Sequence, residues 1–99
     1  MEKIKMQENK ECFFCGSNNW IESHHIFGGA YRKKSEKYGL VVELCHFCHN
    51  EPPLGVHHNA ERMLKLKQAG QQAFEQVYGH KKFMQEFGKN YLEETNDNC

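Results

Sequence analysis

Four of the five cysteines in this 99-residue chain stand in two pairs of identical spacing. Cys12 pairs with Cys15 and Cys45 with Cys48, so each pair has the form C-x-x-C. Zinc takes four ligands in a tetrahedron, and thiolate sulfur is a favoured donor. The two pairs therefore predict a closed four-thiolate zinc site that stabilises the fold and takes no part in a reaction. The fifth cysteine, Cys99, is expected to be a free thiol.

Two other chemistries of cysteine fit the sequence less well. A disulfide framework favours an even cysteine count and an export signal, whereas residues 1–11 are charged and lack an apolar signal core. A redox C-x-x-C pair belongs in a thioredoxin-like strand–helix unit, which neither pair has around it. Both arguments favour metal binding in the reducing cytosol, so a cytoplasmic location is expected.

The seven histidines form a second unusual group. His24 and His25 are adjacent on a predicted strand, so their side chains should point to opposite faces. A neutral histidine can take a proton from water, and a divalent cation can neutralise a phosphate. Two strand histidines facing His57, at the start of a predicted helix, would suit phosphodiester hydrolysis. Three others, His46, His58 and His80, are interpreted as surface residues.

The elements that must position these residues can be read from periodicity and from glycine and proline. Alternation predicts a strand over 20–26, with Glu22 and His24 on one face and His25 on the other. A second strand is expected over 40–44, and one helical turn within 30–38. Helices are predicted over 59–78, capped by Asn59 and stopped by Gly79, and over 81–87, ended by Gly88. The first carries an apolar stripe expected to cover the zinc-and-strand unit: Met63, Leu66, Ala69 or Gly70, Ala73, Phe74 and Val77.

Composition limits what the chain can do without help. A single domain is expected. Because hydrophobic residues make up only 38% of the chain, its core should be small, and a bound metal would add stability to the fold. No run of apolar residues approaches the length of about 20 that a membrane-spanning helix needs. The formal net charge is zero, so nucleic-acid binding would need a local patch. Arg32 and Lys33 are the predicted phosphate contacts. The alternative is that they belong to a charged face that only water contacts. Other candidate phosphate contacts lie in the helical turn within 30–38 and on the helix over 59–78: Lys34, Lys37, Arg62, Lys65 and Lys67.

Taken together, these motifs resemble a known family. The Cys12–Cys15 pair, the run His24-His25-Ile26 and the segment 40–49 resemble the HNH endonucleases, which belong to the His-Me finger, or ββα-metal, superfamily. Segments 38–40, 55–57 and 87–92 are similar, more narrowly, to small phage and prophage HNH proteins with a four-cysteine zinc site. The resemblance implies an α+β fold, in which a small ββα-metal unit stapled by zinc carries additional C-terminal helices. It also implies one HNH-type nuclease domain over 1–99, with a core at 12–58, C-terminal helices at 59–92 and a flexible tail at 93–99.

The resemblance also implies a mechanism and partners. His25 takes the place of the general base, while His24 and His49 take the places of catalytic-metal ligands. The cofactors would be a structural Zn²⁺ and a catalytic divalent ion, either Mg²⁺, Mn²⁺ or Ni²⁺. The reaction would be hydrolysis of DNA phosphodiester bonds. Partners would be DNA and phage packaging or recombination proteins.

The chain departs from the family pattern in two places. The middle asparagine of the motif is missing near Gly39 and Leu40, so a backbone carbonyl is expected to orient His25 instead. Pro52 and Pro53 should break the motif helix, which makes His57 a third ligand, a phosphate contact or a rival to His49. These departures leave open a non-catalytic zinc-knuckle module that binds nucleic acid or a protein partner, and a purely structural zinc-stapled adaptor.

Overall fold

The computed structural model describes residues 3–92. Within them, strands β1 (Ile21–His25) and β2 (Val41–Cys45) form an antiparallel hairpin. Four α-helices follow or interrupt it, and two short 3-10 turns lie at Gly29–Tyr31 and Val56–His58. The helices are α1 (Arg32–Tyr38), α2 (His46–Asn50), α3 (Ala60–Tyr78) and α4 (His80–Phe87). The expected mixed α+β architecture with C-terminal helices is thus confirmed at this level.

The hairpin places the histidine-bearing strand as its alternation predicts. Glu22 pairs with Leu44 and His24 with Val42, and both β2 partners are fully buried. His24 itself is 5% exposed. Strand β1 is one residue shorter at each end than predicted, and β2 is shifted by one residue toward the C-terminus. At the start of β1, Trp20 has a φ of 59°, a left-handed conformation that does not continue a strand.

Helix α1 is longer than the single turn predicted, because its seven residues follow directly on the 3-10 turn. Buried Ser35 fixes α1 against the end of β1: its hydroxyl accepts from the Phe27 N–H at 3.0 Å and donates to the Phe27 carbonyl at 2.8 Å. The helix ends at Gly39, whose φ is 82°. These two hydrogen bonds hold the exposed face of α1 beside His25, the last residue of β1.

The expected break after the second cysteine pair is present. Helix α2 ends at Asn50, just before Pro52 and Pro53, and the chain returns through the 3-10 turn to α3. Asn59 caps α3 as predicted, since its side chain accepts from the Arg62 N–H at 3.0 Å. The break brings the 3-10 turn back beside α2.

The core lies where α3 and α4 cover the hairpin and α1. Helix α3 buries Leu66, Gly70 and Phe74 as expected, but the prediction for Val77 is wrong, because 44% of that residue is exposed. Tyr78 packs inward in its place, with its ring centroid 5.3 Å from that of Tyr38. Other rings complete a mainly aromatic centre: Phe27, Phe83, Phe87 and Tyr91.

The charged N-terminal segment also contributes apolar side chains to the core. Ile4 and Met6 pack against the core. The Ile4 N–H donates to the Tyr38 carbonyl at 2.8 Å, and the Gln7 side chain accepts from the Glu43 N–H at 2.7 Å. The segment therefore runs along the end of α1 and the outer edge of β2.

Two further expectations concern other parts of the chain. Among residues 3–92 no helix combines the length and apolar character needed to cross a bilayer. The predictions of a flexible tail at 93–99 and a free Cys99 fall outside the described residues.

Candidate functional site

The two cysteine pairs meet as predicted. The four sulfur atoms lie within 4.8 Å of one another, which positions Cys12, Cys15, Cys45 and Cys48 to hold one metal ion. Cys15 and Cys45 come from different pairs, yet their sulfurs are 3.7 Å apart. Four thiol donors at this separation match the ligand set of a structural zinc site.

Local structure explains why the sulfurs converge. Gly16, with a φ of 80°, turns the chain after Cys15, and the Cys12 N–H donates to the Ser17 carbonyl at 2.7 Å. Burial raises the pKa of the Cys12 thiol, but backbone hydrogen bonds from Cys45, Cys15 and Phe14 outweigh it and bring that pKa to about 6. At least one ligand is therefore readily available as thiolate, the form that binds metal.

Three histidines form a second cluster. His24 on β1, His49 on α2 and His57 on the 3-10 turn each place a ring nitrogen within 4.8 Å of the others. The Nε2 atoms of His49 and His57 are 3.1 Å apart. The Nε2 atom of His24 is buried and has no hydrogen-bond partner within the described part of the chain. A buried polar atom without a hydrogen-bond partner destabilises the fold, and a ligand bound to this nitrogen would remove that cost.

The cluster favours neutral rings. Burial lowers the pKa of His24 to about 4, with the charges of His49 and His57 adding to the effect. Burial and the charge of His49 also lower the pKa of His57. Neutral imidazoles keep a lone pair, which a bound cation would use. The residues present thus fit a metal ion whose protein ligands are three nitrogens.

Glu22 supports this cluster from the same face of β1. Its carboxylate accepts from Nδ1 of His49 at 2.7 Å and from the Asn50 amide at 3.0 Å. Hydrogen bonds from His49 and then His46 lower the pKa of Glu22, so the group is ionised at neutral pH. With its proton on Nδ1, His49 presents the Nε2 lone pair to the other histidines.

The interpretation of His46 as a surface residue is incomplete, because its ring is only partly exposed and makes two polar contacts. Its ring is partly buried between two carboxylates, with Nδ1 3.1 Å from Glu22 and Nε2 2.8 Å from Glu51. These contacts raise the pKa of His46, the Glu22 bond being the larger cause. The other two histidines assigned to the surface, His58 and His80, are exposed as expected.

His25 lies in the same cleft but has a different environment from His24. Its Nε2 atom is 3.2 Å from a carboxylate oxygen of Glu36, and Nε of Arg32 donates to its Nδ1 at 3.5 Å. Both partners come from α1. The expectation that a backbone carbonyl would orient this ring is not met, because the Glu36 side chain takes that position.

The histidines open into one cleft of about 420 Å³. Arg32 and Lys67 contribute positive charge to its walls, and Met63 adds an apolar side. Lys33 lies outside it, in a larger adjoining groove of about 760 Å³. Four histidines and two cations therefore share one opening.

Arg62, a further candidate phosphate contact, faces elsewhere. Its guanidinium carbon lies 4.1 Å from the centroid of the Phe14 ring, and Nη2 is 3.6 Å from the sulfur of Cys48. The Arg62 guanidinium therefore contacts the cysteine cluster and does not line the histidine cleft.

Sequence reasoning missed Glu22 and Glu36. Glu22 was placed on the His24 face, and that alternation is the signal by which its role could have been found. Glu36 could not be found in this way, because α1 was predicted as one turn and its second turn supplies the carboxylate.

Comparison of the chain with models of protein families, with curated proteins and with solved structures finds no significant match.

Proposed function

We propose that this chain is a divalent-metal-dependent endonuclease of the HNH type, which hydrolyses DNA phosphodiester bonds. One observation carries the proposal: the rings of three histidines converge, one of them with a buried nitrogen that has no hydrogen-bond partner among residues 3–92, and a fourth histidine, held by a carboxylate, opens into the same cleft. Phosphodiester hydrolysis needs this combination of cation site and base.

His24, His49 and His57 would hold the metal. When bound, such an ion would neutralise phosphate charge and stabilise the leaving oxygen. Imidazole suits nickel, zinc, copper and iron, whereas magnesium and manganese prefer oxygen donors. The all-nitrogen cluster therefore favours Ni²⁺ over Mn²⁺ or Mg²⁺ among the ions that the family resemblance implies.

His25 would be the general base. The Glu36 carboxylate accepts a hydrogen bond from Nε2–H of His25, which leaves the lone pair on Nδ1. The Arg32 contact to Nδ1 is long at 3.5 Å, and a phosphate is a much better partner for a guanidinium. Substrate would draw Arg32 away, so that Nδ1 could take a proton from water.

The test is nicking of supercoiled plasmid by the zinc-loaded protein, with Ni²⁺, Mn²⁺, Co²⁺ or Mg²⁺ added. The wild type should nick, and His25→Ala should lose roughly 100-fold or more in rate, since removal of a general base costs about that much. His80→Ala is the matched control, because His80 is exposed on α4.

Circular dichroism must show that all three proteins are folded. Equal nicking by wild type and His25→Ala would overturn the assignment of His25 as the general base. If no metal supports nicking while the folded protein binds DNA, the chain is the non-catalytic zinc-knuckle module instead. A phage or prophage origin, and partners in packaging or recombination, remain predictions from the resemblance.

A further inference from the structure

We infer that DNA crosses the cleft along a continuous basic trough, with phosphate contacts on both sides of the bond to be cut. The inference rests on the proposed function, because it takes the histidine cleft as the place of cutting. It extends that function by naming the path of the substrate and the residues that hold it at each end.

Three depressions join to make the trough. The histidine cleft shares Arg32 with the groove of about 760 Å³ over α1, and it shares Met63 and Lys67 with a depression of about 470 Å³ between α3 and the 88–92 segment. Each shared side chain lines two depressions, so the three adjoin one another, with the histidine cleft between the other two. The histidines lie in the middle section of this surface.

Charge is concentrated along this surface. Six cations line it, against two carboxylates, Glu36 and Glu61. The cations are Lys3, Arg32, Lys33, Lys37, Lys67 and Lys89. The formal net charge of the chain is zero, so the rest of the protein carries the balancing negative charge. A basic stripe on a neutral protein is the electrostatic signature of a nucleic-acid path.

The two ends of the trough are built differently. On the α1 side, cations stand on successive turns of one helix and beside the N-terminal segment. On the α3 side, the ammonium groups of Lys67 and Lys89 lie 5.3 and 5.2 Å from the centroid of the Tyr91 ring. The ring holds both cations at the same edge of the cleft. Each end thus offers paired positive charges to a phosphate backbone.

The experiment measures binding in the His25→Ala background, so that cleavage does not interfere. Fluorescence anisotropy with a labelled 20-base-pair duplex is followed at increasing KCl. Two double variants neutralise the ends, Lys33→Gln with Lys37→Gln and Lys67→Gln with Lys89→Gln. The matched control is Lys65→Gln with Lys81→Gln, which removes the same charge from exposed positions. On α3, Lys65 lies about 200° around the helix from Lys67.

Each end variant should weaken binding roughly tenfold and reduce the slope of log affinity against log salt by about 2, one unit for each lost phosphate contact. The control should retain the parent affinity and slope. If either end variant behaves like the control, DNA does not extend to that end and the two-sided path is wrong. Circular dichroism and zinc content exclude unfolding as the cause.

The outcomes separate this inference from the proposed function. Loss of nicking in His25→Ala with unchanged salt slopes in both end variants would keep the nuclease and reject the trough. Reduced slopes in both end variants together with full nicking by His25→Ala would keep the trough and reject His25 as the base.

Discussion

His24 and His25 are neighbours in sequence, yet their surroundings give them different chemistry. His24 is buried and pairs with Val42 of β2, and its ring centroid lies 5.2 and 5.3 Å from those of two other imidazoles. His25 is the last residue of β1 and lies against α1, where a carboxylate and a guanidinium address its two nitrogens. The difference comes from strand alternation, which turns successive side chains to opposite faces.

Glu36 offers a test of this division at a single residue. Glu36→Gln keeps the shape but removes the charge that fixes the His25 tautomer, so kcat for DNA cleavage should fall by about 10- to 100-fold with KM little changed. Steady-state cleavage of a labelled duplex would measure both constants. Glu8→Gln, an exposed carboxylate paired with Lys5, is the control. An unchanged kcat would remove Glu36 from the mechanism.

His24 makes a prediction about pH. Its pKa is about 4 in the folded chain, against an ordinary value of 6.5. The unfolded chain binds a proton in this interval that the folded chain does not, so the stability contributed by neutral His24 is full above pH 6.5 and is lost as pH falls toward 4. At pH 5.5 the wild type should have lost about 1.4 kcal/mol relative to His24→Gln, compared with their difference at pH 7.5.

Urea unfolding of both proteins at the two pH values measures this change. Both proteins carry one zinc per chain and no other divalent ion is added, so that metal binding by His24 does not enter the comparison. A difference in unfolding free energy that stays constant with pH would contradict the assignment of a buried neutral ring.

At the scale of elements, the site depends on how α1 is fixed to the hairpin. The helix ends at Gly39, where the N-terminal segment crosses closely. A side chain at this position would overlap the Ile4 carbonyl oxygen and lie 2.9 Å from the Ile4 nitrogen. Glycine is required both by this approach and by the left-handed conformation.

Gly39→Ala should therefore destabilise the fold by about 2 kcal/mol or more, because the left-handed conformation alone costs about 1–2 kcal/mol. Gly28→Ala is the matched control: its φ is −92°, and no atom outside its chain neighbours lies within 4 Å of the added Cβ. The control should change stability by less than about 0.5 kcal/mol. Thermal unfolding measures both, and equal effects would show that the crossing segment does not constrain Gly39.

The elements that sequence predicted well were those with strong local signals. Asn59 and Gly79 bracket α3 as expected, and Gly88 follows α4. The missed features depend on tertiary contacts that leave little trace in local pattern. Tyr78, rather than Val77, turns inward because the Tyr38 ring is there to meet it, and Ile4 is fixed by the backbone of α1.

The same distinction holds for the candidate site. Ligand type and spacing predicted that the four cysteines would meet, and they do. Choosing between His49 and His57 from sequence was not possible, because the turn at Pro52 and Pro53 brings them together in space. Glu36 reaches His25 through a helix that local pattern underestimated.

At the scale of the whole molecule, the four-cysteine site should decide whether the chain folds. Structural zinc contributes about 10–16 kcal/mol of apparent binding free energy in small domains, more than most such domains have in net stability. Cys48→Ser, or a strong zinc chelator, should therefore abolish cooperative thermal unfolding and reduce helical circular dichroism. Cys99→Ser, outside the paired motifs, should keep one zinc per chain and the wild-type melting temperature. A chelated chain that still unfolds cooperatively would show that the core suffices without the metal.

Helix α2 has only five residues, yet Cys48 and His49 are neighbours within it. The four-sulfur cluster and the three-nitrogen cluster are thus joined by a single peptide bond. A metal on the four sulfurs would fix the backbone that carries His49, so we expect it to strengthen metal binding by the three histidines. We therefore expect the two clusters, if both bind metal, to lose it together. Zinc limitation would then weaken the nitrogen site as well as the sulfur site, whatever the supply of nickel.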